Sequence, residues 1–175
     1  MIQYIGGNAG FASHYNWHPA KGLRLMAGGA IDIYGATKNQ SRNVNNPFSA
    51  DIQINLMASI GAQYKLTWKR WALSFEYMAT TPLIGGMFVP EMGQSYYEIY
   101  LNLPSALNEV AHFTSFHNRQ GIKGNLSVNF ILPTVTLFMG MNHNHQWWQA
   151  NNMSFYIKEL SVQIGIALNL GIIKE

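Results

Sequence analysis

The 175-residue sequence contains no cysteine, which excludes disulfide bonds and thiolate metal sites. Charge is also scarce: 11% of the residues are charged, against roughly 25% in an average soluble domain. The 11 basic and 8 acidic residues are spread along the chain, so no basic cluster indicates a nucleic-acid partner. No apolar run reaches the length of about 18 residues that a membrane-spanning helix needs. These absences leave a chain that is poor in charge but has no helical membrane span.

Residues 52–68 show the most regular alternation of apolar and polar residues in the sequence. Apolar residues from Ile52 to Trp68 occupy the even positions, and mostly polar or small residues occupy the odd ones. Strict alternation over seventeen residues predicts a β-strand, because helical apolar positions recur every three or four residues. Soluble strands usually have five or six residues, whereas a tilted membrane-spanning strand needs about 9 to 11 for the hydrocarbon core alone. The stretch therefore favours a transmembrane strand over the alternative, a long amphipathic hairpin of a soluble β protein.

Tryptophans flank the predicted short turns. Trp68 and Trp71 bracket Lys69 and Arg70, and Trp17 precedes the turn at residues 18–21. Indole rings prefer the depth where hydrocarbon meets headgroup, so Trp17, Trp68 and Trp71 are predicted to form an aromatic girdle at the short-turn end of a barrel.

Nine strands can be assigned from the alternation. They are predicted at residues 2–17, 22–36, 52–68, 71–81, 95–103, 109–119, 125–132, 135–141 and 160–171, although neither parity of 109–119 is cleanly apolar. Short connections at 18–21, 69–70, 104–108 and 133–134 alternate with longer ones at 37–51, 83–94, 119–124 and 143–152. That asymmetry is typical of periplasmic turns and extracellular loops.

The fold class predicted is all-β: one transmembrane antiparallel up-and-down β-barrel domain covering 1–175. Bacterial single-chain barrels have an even number of strands. The odd count therefore predicts at least one further N-terminal strand, and about 10 to 12 strands in the complete barrel. No secretory signal pattern opens the sequence, so an exported protein would be represented here by its mature chain or by a part of it.

Three segments are similar to a family of uncharacterised outer-membrane β-barrel proteins from Bacteroidetes. They are T-T-P-L-I-G-G-M-F-V-P-E-M-G-Q-S-Y-Y-E-I-Y (80–100), F-T-S-F-H-N-R-Q-G-I (113–122) and N-N-M-S-F-Y (151–156), within a resemblance over roughly residues 60–171. The resemblance implies the outer membrane of a Gram-negative bacterium and members that are longer at the N-terminus. It implies no activity.

The inward parity of the predicted strands collects five charged residues. They are Arg24, Asp32, Lys65, Glu76 and Glu98. In a narrow lumen such charges must pair or stay hydrated, so a network that plugs a small barrel is predicted. A selective pore or ligand pocket is the alternative, and the strand number decides between them.

The sequence has two places where a serine and a histidine could act in catalysis: Ser13 with His14, and Ser115 with His112 and His117. Ser115 and His117 share a parity, with His112 and Asn118 nearby, and these residue types resemble those of an outer-membrane phospholipase or lipid A deacylase. The His-x-Ser order of those enzymes is missing, so histidines that line the barrel mouth are the competing interpretation.

The two histidines of the segment N-H-N-H do not make a complete metal site. His143 and His145 would face one side of a strand, but no third ligand lies near them in sequence, and an exposed pair at a loop end is predicted instead. No metal or other cofactor is expected.

Three functions remain open from the sequence. The first is an integral outer-membrane barrel with a structural, accessory or narrow-transport role, in contact with outer-membrane lipid. The second is a membrane-embedded lipid-modifying hydrolase. The third is a barrel subunit of a larger outer-membrane complex, with other outer-membrane proteins as partners.

Overall fold

The computed structural model describes residues 2–40, 48–90 and 94–168. Eight strands and two short helices make up these ranges. The strands are β1 (Ile2–Ala20), β2 (Leu23–Gln40), β3 (Phe48–Trp68), β4 (Trp71–Phe88), β5 (Ala111–Ser115), β6 (Arg119–Ile131), β7 (Val135–Ala150) and β8 (Met153–Leu168), and the helices are α1 (Tyr96–Leu101) and α2 (Leu107–Val110).

The strands form one antiparallel up-and-down sheet in the order β1-β2-β3-β4-β6-β7-β8. β5 also pairs with β4, beyond the end of the β4–β6 ladder. β5 and β6 therefore share one position in the sheet, which gives seven positions. In the part of the chain that the structure describes, β1 and β8 remain unpaired with each other, so the sheet is not closed into a barrel.

Alternation along β3 matches the sequence-based prediction. The even-numbered Ile52, Ile54 and Ile60 are exposed on one face, whereas Gln53 and Asn55 are buried on the other, at 6% and 1% exposure. A soluble sheet would bury the apolar face. Here the polar face is concave and covered, and the apolar face is convex and exposed.

The structure corrects the prediction for residues 95–103. This segment is not a strand: α1 occupies Tyr96–Leu101, with Ser95 and Glu98 forming a capping box. Ser95 Oγ accepts from the Glu98 amide at 3.1 Å, and the Glu98 carboxylate accepts from the Ser95 amide at 2.9 Å. Two otherwise unpaired amides are satisfied in this way, which favours a helix start.

Other boundaries also differ from the predicted ones, most of all in β4, β6 and the β7–β8 connection. Residues 109–119, predicted as one strand, contain the end of α2, then β5 and a turn. β4 continues through Pro82 to Phe88. The proline is tolerated because the pairing of β4 with β3 shifts register beside it, and because on its other side β4 pairs with β6 before Pro82 and with β5 after it. The expected loop at 119–124 is the first part of β6. The expected loop at 143–152 is mostly strand, and β7 turns into β8 at Asn151 and Asn152, whose φ angles are 48° and 57°. Because residues 95–103 hold a helix, the described residues contain eight strands rather than the nine predicted.

The two clusters of buried apolar residues in the described ranges lie at the end of the sheet with long connections. Met87, Val89, Trp148 and Ala150 form one buried cluster there. A second cluster lies under the helices and consists of Ile99, Ala106 and Val110, with Phe88 and Tyr96 against it. No helix in the described ranges is long and apolar enough to cross a membrane.

Candidate functional site

The concave face is held together by polar contacts between strands that are not neighbours. Lys123 Nζ on β6 lies 2.8 Å from Asp32 Oδ2 on β2. Arg24 on β2 lies 3.6 Å from the Glu76 carboxylate on β4. Each contact reaches across at least one intervening strand, which requires the sheet to be curved. Together the contacts give the concave side a network of opposite charges.

The structure places the five predicted lumen residues in three different settings. Arg24, Asp32 and Glu76 lie on the concave face in ion pairs. Lys65 lies on the same parity but is exposed near the end of β3. Glu98 is a helix-capping residue on α1 and lies outside the strand face on which it was expected.

Arg119, which sequence reasoning missed, lies at the centre of a buried polar cluster. Its side chain is buried, at 4% exposure, at the start of β6. Its two terminal nitrogens donate to Gln53 Oε1 at 2.7 Å and to Gln146 Oε1 at 2.8 Å. The guanidinium carbon lies 5.7 Å from the ring centroid of Trp148, within cation–π range.

A hydrogen-bonded chain extends from Arg119 to the last strand. Gln146 Nε2 donates to Asn144 Oδ1 at 2.7 Å, and Asn144 Nδ2 donates to Glu159 Oε2 at 2.9 Å. With Gln53 included, the chain links β3, β6, β7 and β8. The sequence did contain a signal for the start of β6: polar or small residues alternate at Arg119, Gly121, Lys123 and Asn125. It was not used, because residues 119–124 were predicted to be a loop.

A cavity of about 720 Å³ lies against this network and is lined by residues of seven strands. Asp32, Lys123, Arg119, Gln146 and Glu159 supply its polar wall. A second cavity of about 320 Å³ shares Tyr34, Gln53, Trp148 and Glu159 with the first and adds the apolar residues Phe88 and Phe155. The two volumes fall within the range of small-molecule sites, roughly 300 to 1,000 Å³.

The predicted catalytic residues are only partly brought together. Ser115 Oγ lies 2.6 Å from His117 Nδ1. The Ser115 amide donates to Asn118 Oδ1 at 3.0 Å, so the serine, the histidine and the asparagine belong to one local turn. His112 pairs with the buried Met87 on the concave parity, whereas Ser115 pairs with Ile84 on the convex parity. His112 is therefore not part of this group.

The three tryptophans predicted as a girdle lie at one end of the sheet. Trp68 and Trp71 are directly paired across the β3–β4 hairpin, and their rings stack with centroids 4.4 Å apart. Trp17 is exposed on β1 near the β1–β2 turn. Whether they contact lipid remains a prediction.

The histidine pair 143 and 145 lies within β7 rather than in a loop, on the convex parity. His143 Nε2 lies 3.1 Å from the Tyr77 hydroxyl, and His145 is hydrogen-bonded to the Tyr156 hydroxyl. Among the described residues, no group of three or more His, Cys, Asp or Glu is placed to hold a metal ion.

A family model described as "Protein of unknown function (DUF3316)" matches residues 4–175. The chain belongs to this family. No curated protein and no solved structure matches the chain. The family match carries no information on membrane location or on the bacterial group, so the outer-membrane and Bacteroidetes parts of the resemblance remain predictions.

Proposed function

We propose that the chain forms the wall of an integral β-barrel of a Gram-negative outer membrane, with a cross-linked polar lumen and a structural, accessory or narrow-transport role. The observation that carries this proposal is the inverted polarity of the sheet. Gln53 and Asn55 are buried on the concave face, while their neighbours Ile52 and Ile54 are about half exposed on the convex face.

The exposed apolar residues of the convex face support contact with lipid. Five successive outward residues of β8 are 64% to 81% exposed: Leu160, Val162, Ile164, Ile166 and Leu168. Monomeric soluble proteins rarely expose contiguous apolar patches larger than a few hundred Å². Nine strand residues extend for about 26 to 30 Å, which on a strand tilted by about 40° is comparable with the apolar band of about 25 Å found on outer-membrane barrels.

The directions of β1 and β8 determine what closure of the sheet into a barrel would require. β1 and β8 both run from the end with long connections towards the end with short turns, because an odd number of positions lies in the antiparallel sheet. Closure by antiparallel ladders alone would therefore need one further strand, or another odd number, between β8 and β1. Closure is required in lipid, because each unpaired edge amide there costs several kcal/mol.

The lumen contacts favour a narrow or plugged interior over an open channel. The Asp32–Lys123 and Gln53–Arg119 contacts cross the concave face, and the apolar clusters fill its end near the long connections. Planar-bilayer recordings should accordingly show either no conductance or a small one. A stable conductance of the size of a general porin would exclude a plugged lumen.

Membrane fractionation tests the proposal directly. The protein, expressed with a secretion signal in a Gram-negative host, should sediment with outer-membrane density and resist alkaline carbonate extraction. Ile164→Lys should reduce this recovery, because a charge on the lipid face near the bilayer midplane costs roughly 2 to 4 kcal/mol. Gln163→Lys, next to it on the cavity side, is the matched control. Recovery of the unmodified protein in the soluble fraction without detergent would overturn the proposal.

A lipid-modifying hydrolase is the second candidate, and the short Ser115–His117 hydrogen bond favours it. A nucleophile within reach of a base is the first requirement for acyl transfer. Under this hypothesis Ser115→Ala changes the phospholipid or lipid A profile of the host, whereas the exposed Ser154→Ala does not. Identical profiles for wild type and Ser115→Ala would remove the hydrolase.

A further inference from the structure

We infer that the cavity on the concave face is a binding site for a small oxyanion, a carboxylate or a phosphate, and that Arg119 is the residue that binds it. The inference rests on the cavity and its lining, and it holds whether or not the sheet lies in a membrane.

The first step is the electrostatic state of Arg119. Burying a cation is costly unless it is paired and hydrogen-bonded. The two direct hydrogen-bond acceptors of this guanidinium are neutral amide oxygens, those of Gln53 and Gln146. Its buried Nε has no hydrogen-bond partner among the described residues. The side chain thus keeps a full positive charge and an unused donor inside the protein.

The second step concerns the nearby carboxylates. Asp32 is already bound by Lys123 at 2.8 Å. Glu159 accepts from Asn144 and is two amides removed from Arg119. Glu159 is also exposed, so water screens its charge. Neither carboxylate is hydrogen-bonded to Arg119, so the buried cation has no direct anionic partner among the described residues.

The third step is the preorganisation of the guanidinium. Gln53 and Gln146 fix its plane from two strands, and Trp148 lies alongside it. A planar, fixed guanidinium suits parallel hydrogen bonds to an oxyanion, and each terminal nitrogen keeps one N–H beyond the one that it donates to glutamine. The cavity of about 720 Å³ provides volume for an organic anion as well as for phosphate.

The aromatic wall indicates what else the site could hold. Tyr34 and Trp148 line both cavities, and Phe155 lies in the smaller one. Trp148 and Phe155 stack with centroids 5.4 Å apart. Aromatic rings beside a cation can contact the apolar face of a ring-bearing acid. A sugar acid such as glucuronate is therefore a suitable organic probe beside acetate and inorganic phosphate.

Titration followed by NMR at the Arg119 Nε–H group tests the inference without a variant. The purified protein is titrated with acetate, glucuronate or phosphate at constant ionic strength, and chloride is the reference anion. A saturable shift of the Arg119 Nε–H signal is expected. The Arg24 signal should stay unchanged: its Nε is also buried without a partner, but Arg24 lies 3.6 Å from the Glu76 carboxylate and does not line the cavity. A shift with acetate and glucuronate alone identifies a carboxylate site, and a shift with phosphate as well identifies a general oxyanion site.

Variants give the second readout. Calorimetric affinity for the best probe should fall at least tenfold in Arg119→Gln and by less in Arg119→Lys, which keeps the charge but loses the planar fork. Arg24→Gln should bind like wild type. Should Arg119→Gln fail to fold, the wild-type titration and Arg119→Lys still decide. The inference is overturned if no probe shifts the Arg119 signal more than chloride does, or if Arg24 and Arg119 respond alike.

Discussion

Lys123 Nζ lies 2.8 Å from Asp32 Oδ2, although the two residues are 91 positions apart and belong to β6 and β2. Two strands, β3 and β4, separate them in the sheet. On a flat sheet the backbones would be at least about 14 Å apart, three times the strand spacing of about 4.8 Å. The ion pair is possible because the sheet curls towards its polar side, and it is therefore a direct probe of that curvature.

The first prediction is a favourable coupling between these two side chains. A double-mutant cycle with Asp32→Asn and Lys123→Gln should give an interaction energy of roughly 0.5 to 3 kcal/mol, the range for residues in direct contact. Urea unfolding of the four proteins measures it. Asp32→Asn combined with Arg24→Gln, which is paired elsewhere with Glu76, is the control and should show additive effects. Additivity for the Asp32 and Lys123 changes would contradict the curvature assigned here.

The second prediction concerns the close packing of His143 over Gly124. A Cβ added at Gly124 would lie 2.0 Å from His143 Nε2, the atom that also contacts the Tyr77 hydroxyl. Gly124→Ala should therefore displace the imidazole ring, break that hydrogen bond and destabilise the protein by about 0.5 to 1.5 kcal/mol. Gly7→Ala is the matched control, since no atom lies within 4 Å of its added Cβ. Equal midpoints for the two variants would refute the packing.

The third prediction separates the two asparagines of the β7–β8 turn. Both have positive φ, which glycine adopts at no steric cost. Asn152→Gly should be neutral or stabilise the fold slightly. Asn151→Gly should destabilise it by roughly 0.5 to 1.5 kcal/mol, because the Asn151 amide also donates to the Val89 carbonyl at 2.8 Å. Thermal unfolding of both variants checks the order, and the reverse order would be inconsistent with this turn.

The fourth prediction concerns the stacked indoles at the β3–β4 hairpin. Trp68→Ala should remove the near-ultraviolet circular dichroism that arises from the Trp68–Trp71 pair, because the rings are only 4.4 Å apart. It should also cost roughly 0.5 to 1.5 kcal/mol beyond the lost buried area. Trp17→Ala, at the same end of the sheet, serves as the control. An unchanged spectrum in Trp68→Ala would argue against the stack.

The sequence was sufficient to predict the regular part of the fold. β3 and the β3–β4 turn were predicted because one face of the strand is apolar throughout. The second half of β7 was missed because polar residues occupy both faces there: Asn144 and Gln146 point to the cavity side, while His143 and His145 lie on the convex parity. Hydrophobic alternation cannot identify a strand whose two faces are both polar.

Helix α1 was mistaken for a strand for a different reason. Tyr97, Ile99, Leu101 and Leu103 alternate by chance over a segment too short for periodicity to discriminate. Ser95 followed by Glu98 was the available helix-start signal. The Arg119 cluster could not be predicted at all from local pattern, because its partners Gln53 and Gln146 are brought together only by the curvature of the sheet.

The measurement that tests the central account most directly is site-directed spin labelling along β8 in lipid bilayers. The chain has no cysteine, so single-cysteine variants at positions 160 to 166 can be labelled without background. Oxygen concentrates in the hydrocarbon, whereas a nickel chelate stays in water. The account predicts high oxygen accessibility at Leu160, Val162, Ile164 and Ile166, and higher nickel accessibility at Ser161 and Gln163. Equal nickel accessibility at both parities would contradict it.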